Sequence, residues 1–347
     1  MLFAVERDAG YEIYGYVVLD TFSSQADIVV SSRGEELLRL TAGDVRPALQ
    51  AYGRHETGLV GFYLSEANLP GLTGLDELEI HEPESGILVY RRSPPEAVVP
   101  RKIFRLETQL LPINRLDRAL RPYFRFYFPL IDRFGLETSN QVFMLGGDSI
   151  YVSGRIPYRS LEQHIERGYG SIVLVQDPYD ELAERLLVLR LIAKGYNSYL
   201  GPRDAVVFEE AVSFAAALTL EDEREMKWAF RDVSRSVFMA LADPLMRQLT
   251  THLPDEAVNP SAIGSALNIL SSFEVVGLRR QADLFIEAIA DLFLLDPAEL
   301  PAIEQAPATQ LLADMLRRCA PVEQLLENDL ALYGYIKDAF EKPGSEA

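Results

Sequence analysis

Arginines concentrate in one part of a chain that is otherwise strongly acidic. Residues 101–160 contain ten basic and five acidic side chains, whereas the whole chain has a formal net charge of -19. The basic residues are Arg101, Lys102, Arg105, Arg115, Arg118, Arg121, Arg125, Arg133, Arg155 and Arg159. A basic island of this kind could focus an anionic ligand. The alternative is a solvated helix face on which the arginines form ion pairs.

Other catalytic and metal-binding patterns are missing from the sequence. The four histidines (His55, His81, His164 and His252) lie far apart and show no metal-ligand spacing, so we predict no metal site. No Gly-x-Ser-x-Gly motif supports a serine hydrolase. Cys319 is the only cysteine, which excludes an internal disulfide and a cysteine-cluster metal site.

A short glycine-rich segment admits two interpretations. Gly146-Gly147-Asp148-Ser149 lies between two predicted strands, Gln141–Leu145 and Ile150–Val152, and is typical of a tight turn. Alternatively, it forms an anion- or sugar-binding loop beside Arg155 and Arg159.

The first 92 residues have the pattern of an all-β module. Apolar and polar residues alternate with a period of two in several short segments, and Gly, Asn, Asp and Pro punctuate them. The predicted strands are Tyr11–Leu19, Ala26–Val30, Glu36–Leu40, Leu59–Leu64, Glu77–His81 and Gly86–Arg91. An antiparallel β-sandwich over 1–92 is the expected architecture. Residues 93–100 contain three prolines and are predicted to be an extended linker.

From residue 101 to residue 347 the pattern changes to long helical periods with a few isolated strands. Ile103–Leu106, Ile150–Val152 and Ser171–Gln176 are predicted strands. Asp177 and Pro178 are predicted to cap and begin a helix over Tyr179–Lys194. Further helices are predicted at 114–121, 160–167, 204–218, 221–241, 260–270, 279–294, 308–318 and 322–341. This order predicts an α/β domain with a small parallel sheet and many helices.

Charge and hydropathy exclude several classes of partner. The net charge of -19 argues against nucleic acid and anionic membrane surfaces, which need clustered Lys and Arg. No apolar run reaches the roughly 18 residues that a membrane span needs. Glu6 and Asp8 stand where a signal peptide would be basic and then apolar, so we predict a soluble cytoplasmic protein.

Three short segments of the second region have the order and spacing of motifs found in one group of transferases. The first is Gly154–Tyr158, followed by a helix and then Ser171–Glu181; the second is Phe273–Leu278; the third is Asn328–Tyr333. Through them the chain resembles the sulfotransferase families that act on carbohydrates. The resemblance covers about 101–341 and implies a sulfotransferase-like, P-loop-type α/β fold.

This resemblance implies a nucleotide sulfate donor, PAPS, held on the loop after the first strand. In the family the loop is typically Pro-Lys-x-Gly-x-Thr/Ser, whose backbone N–H groups, lysine and hydroxyl hold the phosphate and sulfate groups. The equivalent segment here, residues 103–114, contains no glycine and no lysine. Thr108 keeps the hydroxyl, while Glu107 brings a negative charge.

Other donor contacts also differ from the family pattern. The family's Arg-Asp-Pro arginine falls at Gln176, a second arginine at Glu181, and a serine at Glu184. Two carboxylates about 4 Å from phosphate groups would repel them by roughly 4 kcal/mol each at an effective dielectric of 20. Arg155 stands in place of a histidine, which removes a candidate general base.

The resemblance nevertheless assigns candidate site residues. Thr108, Arg115 and Gln176 are expected in the donor (cofactor) cleft, Arg155 is the candidate catalytic residue, and Arg159 is expected to contact an anionic substrate. One observation distinguishes an active transferase from a protein that has lost its donor site. If Arg115, Arg155, Arg159 and Arg279 converge on one pocket, a transferase is favoured; if they are scattered over the surface, it is not.

The first module carries a second, shorter resemblance. Arg46-Pro47, Gly61-Phe62 and Val89–Arg92 resemble segments of small β-sandwich modules fused to bacterial enzymes of surface-polysaccharide synthesis. The alternative is a packing module in which Phe62 and Tyr90 belong to the core.

Two functions follow from these resemblances. The chain is either a divergent sulfotransferase-like enzyme of bacterial surface-polysaccharide biosynthesis, with PAPS or another anionic donor, or a non-catalytic pseudoenzyme that binds a glycan or a partner enzyme.

Overall fold

The computed structural model describes residues 1–94, 98–196, 200–253 and 256–341. The chain packs as two compact units. The first contains Met1–Lys102, Leu120–Pro129 and Phe134–Val152; the second contains Ile103–Ala119, Leu130–Arg133 and the chain from Ser153 onward. The predicted domain limits stay a prediction, and residues 95–97 of the predicted linker and the last six residues lie outside the described part.

Two antiparallel sheets form the N-terminal region. Their elements are β1 (Leu2–Asp8), β2 (Glu12–Val18), β3 (Asp27–Ser32), β4 (Glu35–Thr41), β5 (Asp44–Val45), α1 (Pro47–Ala51), β6 (Leu59–Ser65), β7 (Leu78–Glu82) and β8 (Ile87–Arg92). One sheet has the order β1-β2-β6-β5 and the other β4-β3-β7-β8. All six predicted strands are present, so the antiparallel character of this region is confirmed.

Alternation in the sequence explains which residues of these strands are buried. Ile28 and Val30 of β3 are fully buried, as are Val60 and Leu64 of β6. Phe62, between them, is 1% exposed, because every second side chain of a strand points to the same face of its sheet. The apolar set therefore determines the core face of both strands.

A five-stranded parallel sheet surrounded by helices makes up the rest of the fold. Its first elements are β9 (Lys102–Leu106), α2 (Asn114–Leu120), β10 (Phe126–Phe128), α3 (Leu136–Phe143), β11 (Ile150–Gly154), α4 (Tyr158–Ile165), β12 (Tyr169–Val175) and α5 (Pro178–Ala193). They are followed by α6 (Pro202–Val207), α7 (Glu209–Ala217), α8 (Glu223–Arg231), α9 (Arg235–Leu241), α10 (Pro244–Thr250), α11 (Ile263–Ser271), β13 (Val275–Leu278), α12 (Ala282–Phe293), α13 (Pro307–Leu316), α14 (Ala320–Leu325) and α15 (Glu327–Glu341). The strand order is β10-β11-β9-β12-β13, which confirms an α/β architecture.

One predicted strand is wrong. Gln141–Leu145 lies mostly in helix α3, which begins after Gly135. Thr138, Ser139, Val142 and Phe143 are the buried residues of this helix, and their spacing is helical. The segment Gly146–Ser149 therefore connects a helix to β11, and the hydroxyl of Ser149 accepts the backbone N–H of Arg125 at 3.0 Å.

Three predicted helices are each divided into two, one of them at a serine cap. The predicted helix over 221–241 ends at Arg231, and a new helix begins after Ser234, whose hydroxyl accepts the backbone N–H of Val237 at 3.2 Å. The predicted helices 204–218 and 322–341 likewise divide into α6 and α7, and into α14 and α15. Serine favours N-caps over helix interiors because its hydroxyl competes for backbone groups.

Candidate functional site

The centre of the parallel sheet has the geometry of a ligand site. Strand β9 is central, and the strands that follow it are added first on one side, as β10 and β11, and then on the other, as β12 and β13. Ligands of open α/β sheets bind outside the carboxyl ends of the strands where the order reverses. Thr108 lies just after β9 and Gln176 just after β12. Both line one small pocket, with Val175, Pro178, Glu181, Leu245 and Asp329. We call it the switch-point pocket.

The loop after β9 already holds an anion, and that anion is Glu107. One carboxylate oxygen, Oε1, accepts the backbone N–H of Gln109 at 3.1 Å. The other, Oε2, accepts the backbone N–H of Ile113 at 2.9 Å and Nη1 of Arg105 at 2.8 Å. Glu107 is 3% exposed. The loop therefore directs backbone donors at a carboxylate of the chain, as phosphate-binding loops direct theirs at a ligand.

Arg105, from the basic island, is also satisfied inside the protein. It is 1% exposed, and its Nε and Nη2 bind Oδ1 and Oδ2 of Asp117 at 2.8 and 2.9 Å. Ser153 donates its hydroxyl to Oδ2 of Asp117 at 2.8 Å. This bidentate geometry is the strong form of an arginine–carboxylate pair. The charge of Arg105 is consequently neutralised by Asp117 and Glu107.

Helix α5 adds two buried carboxyl groups beside the pocket. Its cap is as predicted: Oδ1 of Asp177 accepts the backbone N–H of Tyr179 at 3.0 Å. Glu181 and Glu184 are 6% and 7% exposed, and Oε1 of Glu181 accepts Nη2 of Arg185 at 2.8 Å. Burial, reinforced by the charge of Glu181, raises the pKa of Glu184 to about 8. Burial also raises the pKa of Glu181, against the opposing charge of Arg185.

Several buried polar atoms near the pocket have no hydrogen-bond partner among the described residues. They are Oε1 and Nε2 of Gln176, Oε2 of Glu181 and Oε1 of Glu184. Thr108, by contrast, donates its hydroxyl to the carbonyl oxygen of Leu174 at 3.2 Å. Buried polar groups are normally paired, so these atoms mark a place for water or a small polar group.

Arg155 lines a different and larger cleft. Its guanidinium contacts Asp204, and its backbone N–H donates to Oδ1 of Asp132 at 2.8 Å. Its Cζ atom lies 5.5 Å from the ring centroid of Phe208, and Cζ of Arg185 lies 5.6 Å from the same centroid. The lining residues are Arg155, Pro157, Arg185, Arg203, Asp204, Val207, Phe208, Met239, Ala240, Pro244, Arg247 and Gln248. We call this the arginine cleft.

The four arginines whose convergence would favour a transferase do not share a pocket. Nη1 of Arg159 binds Oε1 and Oε2 of Glu162 at 2.6 and 2.7 Å. Arg279 donates to Oε1 of Gln109 at 3.0 Å and to a backbone oxygen at 2.7 Å. Arg115 is exposed on α2. Of the four, Arg155 alone lines the arginine cleft in the described part of the chain.

The remaining candidate features are structural. His55, which is 1% exposed, accepts the backbone N–H of Gly58 on its Nδ1 at 3.1 Å. Cys319 is buried. Among the residues with described positions, no group of three His, Cys, Asp or Glu side chains could hold a metal ion. In the same residues, no helix combines the length and the apolar character that crossing a membrane requires.

The sequence did not point to the partners of these arginines. Asp117, Asp204 and Glu162 lie on helices and look like ordinary surface acids in the sequence.

Comparison with known proteins adds no relative. No protein-family model, no curated protein and no solved structure matches the chain significantly.

Proposed function

We propose that this chain is a sulfotransferase-like protein of bacterial surface-polysaccharide biosynthesis that has lost use of PAPS and acts by binding a glycan or a partner enzyme. The observation that carries this proposal is the position of Glu107. Its carboxylate oxygens accept hydrogen bonds from the backbone N–H groups of Gln109 and Ile113 and from Nη1 of Arg105, at 2.8 to 3.1 Å. By the resemblance, this loop would hold the phosphate and sulfate groups of PAPS.

Electrostatics oppose a nucleotide at this loop. An anion entering it would meet Glu107 at contact distance, which costs roughly 4 kcal/mol per charge pair at an effective dielectric of 20. It would also have to displace a carboxylate that accepts two backbone N–H groups and one guanidinium. Charge-assisted hydrogen bonds of this kind are among the stronger ones in proteins.

The second donor contact expected from the resemblance has no cation here. Gln176 supplies no charge, and Glu181 and Glu184, whose pKa values are raised by burial, lie where the resemblance expects an arginine and a serine. The switch-point pocket is also smaller than the arginine cleft, with about 270 Å³ of non-atom space against about 570 Å³.

A second candidate function has one observation in its favour. Nη1 of Arg155 is buried and has no hydrogen-bond partner in the described chain, so it could still contact a reacting anion. In that case the chain is a divergent transferase with another anionic donor, in which Arg155 supplies catalytic charge and Arg159 contacts the acceptor.

Calorimetric titration with PAP, the desulfated donor, at low salt tests the proposal. We expect no heat at millimolar PAP for the wild-type protein. Micromolar binding that is lost in Thr108→Ala or Arg155→Ala, but kept in the exposed control Arg318→Gln, would overturn it. A parallel assay offers labelled PAPS and several polysaccharides, and we expect no labelled glycan to form.

A further inference from the structure

The arginine cleft combines cationic and apolar side chains in one concave surface. It contains about 570 Å³ of non-atom space, part of which opens to solvent. Helices α5, α6, α9 and α10 supply most of its lining, together with Phe208 between α6 and α7.

The lining is rich in guanidinium groups. Arg155, Arg185, Arg203 and Arg247 line the cleft, together with a single carboxylate, Asp204. Guanidinium groups bind carboxylates and phosphates through pairs of parallel N–H donors. The composition of this lining favours an anion.

Two of these guanidinium groups each have one buried nitrogen without a hydrogen-bond acceptor among the described residues. Arg185 is 4% exposed, yet its Nε has no acceptor among the described residues. Nη1 of Arg155 is likewise buried without an acceptor. Both other nitrogens of Arg185 are engaged, because they bind Glu181 and the carbonyl oxygen of Ala240, and Nη2 of Arg155 binds Asp204. An orphaned buried donor destabilises a protein, and an acceptor supplied by a ligand would remove that cost.

Apolar side chains also line the cleft. They are Val207, Met239, Ala240 and two prolines, and Val207 keeps 37% of its surface exposed. The Phe208 ring faces two guanidinium groups at 5.5 and 5.6 Å, so cations and apolar side chains lie close together in the lining. A polyhydroxylated sugar would leave its hydroxyls unpaired against these side chains, whereas a hydrocarbon group would be buried favourably.

From this geometry we propose that the arginine cleft binds an amphipathic organic anion: a carboxylate or phosphate monoester joined to an aliphatic or aromatic body. The anionic head contacts Arg155 and Arg185, and the body packs on Val207 and Met239. No lining residue of this cleft belongs to the β9 loop (residues 107–113), although Arg155 also borders that loop. The proposed anion site therefore adjoins the loop and does not require PAPS to be bound there.

Calorimetry on the full chain with defined probes tests the inference. Phenyl phosphate and octanoate serve as amphipathic anions, inorganic phosphate as the charge alone, and hexanol as the apolar body alone. We expect at least one amphipathic anion to bind with a Kd below about 1 mM, and at least about tenfold more tightly than inorganic phosphate and hexanol. A stronger response to phenyl phosphate or to octanoate identifies the head group, and either one supports the proposal.

Neighbouring valines provide a matched pair of variants. Val207→Asp places a carboxylate in the cleft at a partly exposed position, and we expect it to weaken binding at least about tenfold. Val206→Asp makes the same change one residue away, where the side chain is 75% exposed and does not line the cleft, and binding should be unchanged. Equal binding by both variants, absence of any binding, or equal affinity for inorganic phosphate would each overturn the proposal.

Discussion

Asp243 and Asp329 cap each other's helices. Oδ1 of Asp243 accepts the backbone N–H groups of Asn328 and Asp329, both at 3.0 Å, at the start of α15. In return, Oδ2 and Oδ1 of Asp329 accept the backbone N–H groups of Leu245 and Met246, at 2.9 and 2.7 Å, in the first turn of α10. This exchange satisfies four N-terminal donors that a helix cannot satisfy by itself.

Removing one of these caps should destabilise the fold. We expect Asp329→Ala to lower the free energy of unfolding by about 2–4 kcal/mol, because two buried backbone donors lose their acceptors. Urea denaturation followed by circular dichroism measures the change. Asp291→Ala, an exposed change on α12, should stay within about 0.5 kcal/mol of wild type. An equal loss in both variants would contradict the capping role.

Buried carboxyl groups should make the protein less stable as pH rises above about 5. Burial raises the pKa of Glu184 to about 8, and burial together with Asp243 raises the pKa of Asp329 to about 7. Both groups therefore hold a proton in the folded state that the unfolded chain has already released, so their contribution is lost between about pH 5 and pH 8. The pKa of Glu79 is lowered to about 2, so the titration of this carboxyl group affects the unfolding free energy only below pH 5.

Glu184→Gln isolates that effect. For wild type we expect Glu184 to contribute a fall in unfolding free energy on the order of 3 kcal/mol from pH 5.5 to pH 8. Glu184→Gln should flatten this part of the profile, because glutamine does not titrate. The exposed variant Glu287→Gln should retain the wild-type slope. A slope unchanged in Glu184→Gln would show that this carboxyl group titrates normally.

The β9 loop should depend on Glu107 for its stability. Glu107→Ala leaves the backbone donors of Gln109 and Ile113 and one nitrogen of Arg105 without their acceptor. We expect a loss of about 3–5 kcal/mol in urea denaturation. Glu107→Gln keeps an acceptor of the same shape and should lose less, about 1–3 kcal/mol. Little change in either variant would contradict the internal-anion interpretation, and with it the main support for the proposed function.

Two glycines, Gly154 and Gly277, are required by close packing. A Cβ atom at Gly277 would lie 2.4 Å from Cδ2 of Phe285, and one at Gly154 would lie 2.6 Å from Oδ1 of Asp132. We expect Gly277→Ala and Gly154→Ala to lower the unfolding free energy by about 1–3 kcal/mol each. Gly264, inside α11, has no atom within 4 Å of such a Cβ, so Gly264→Ala should instead stabilise by about 0.5–1 kcal/mol. Thermal denaturation of the three variants separates the effect of close packing from that of backbone flexibility. If Gly264→Ala lost as much stability as the other two variants, close packing would not explain the need for glycine at positions 154 and 277.

Local patterns were predictable where the cause lies within a few residues. The alternation of Val60, Phe62 and Leu64 predicted β6, and the Asp177-Pro178 pair predicted the start of α5, because a strand's faces and a helix cap are set by adjacent side chains. Strands β1, β5, β10 and β13 were not predicted from the pattern of the sequence. Two of them are too short to show a period, and β1 is interrupted by charged residues.

The sequence by itself determined the antiparallel and α/β regions and the cap of α5. The tertiary structure alone decided which distant polar groups meet. Arg155 and Asp204 are 49 residues apart, and Asp243 and Asn328 are 85 apart. Such pairs leave no pattern in a single sequence, because hydrophobic periodicity reports which face is buried and not which distant element covers it. The basic island was visible in the sequence, but the pairing of Arg105 with Asp117 and of Arg155 with Asp204 became visible only in the folded chain.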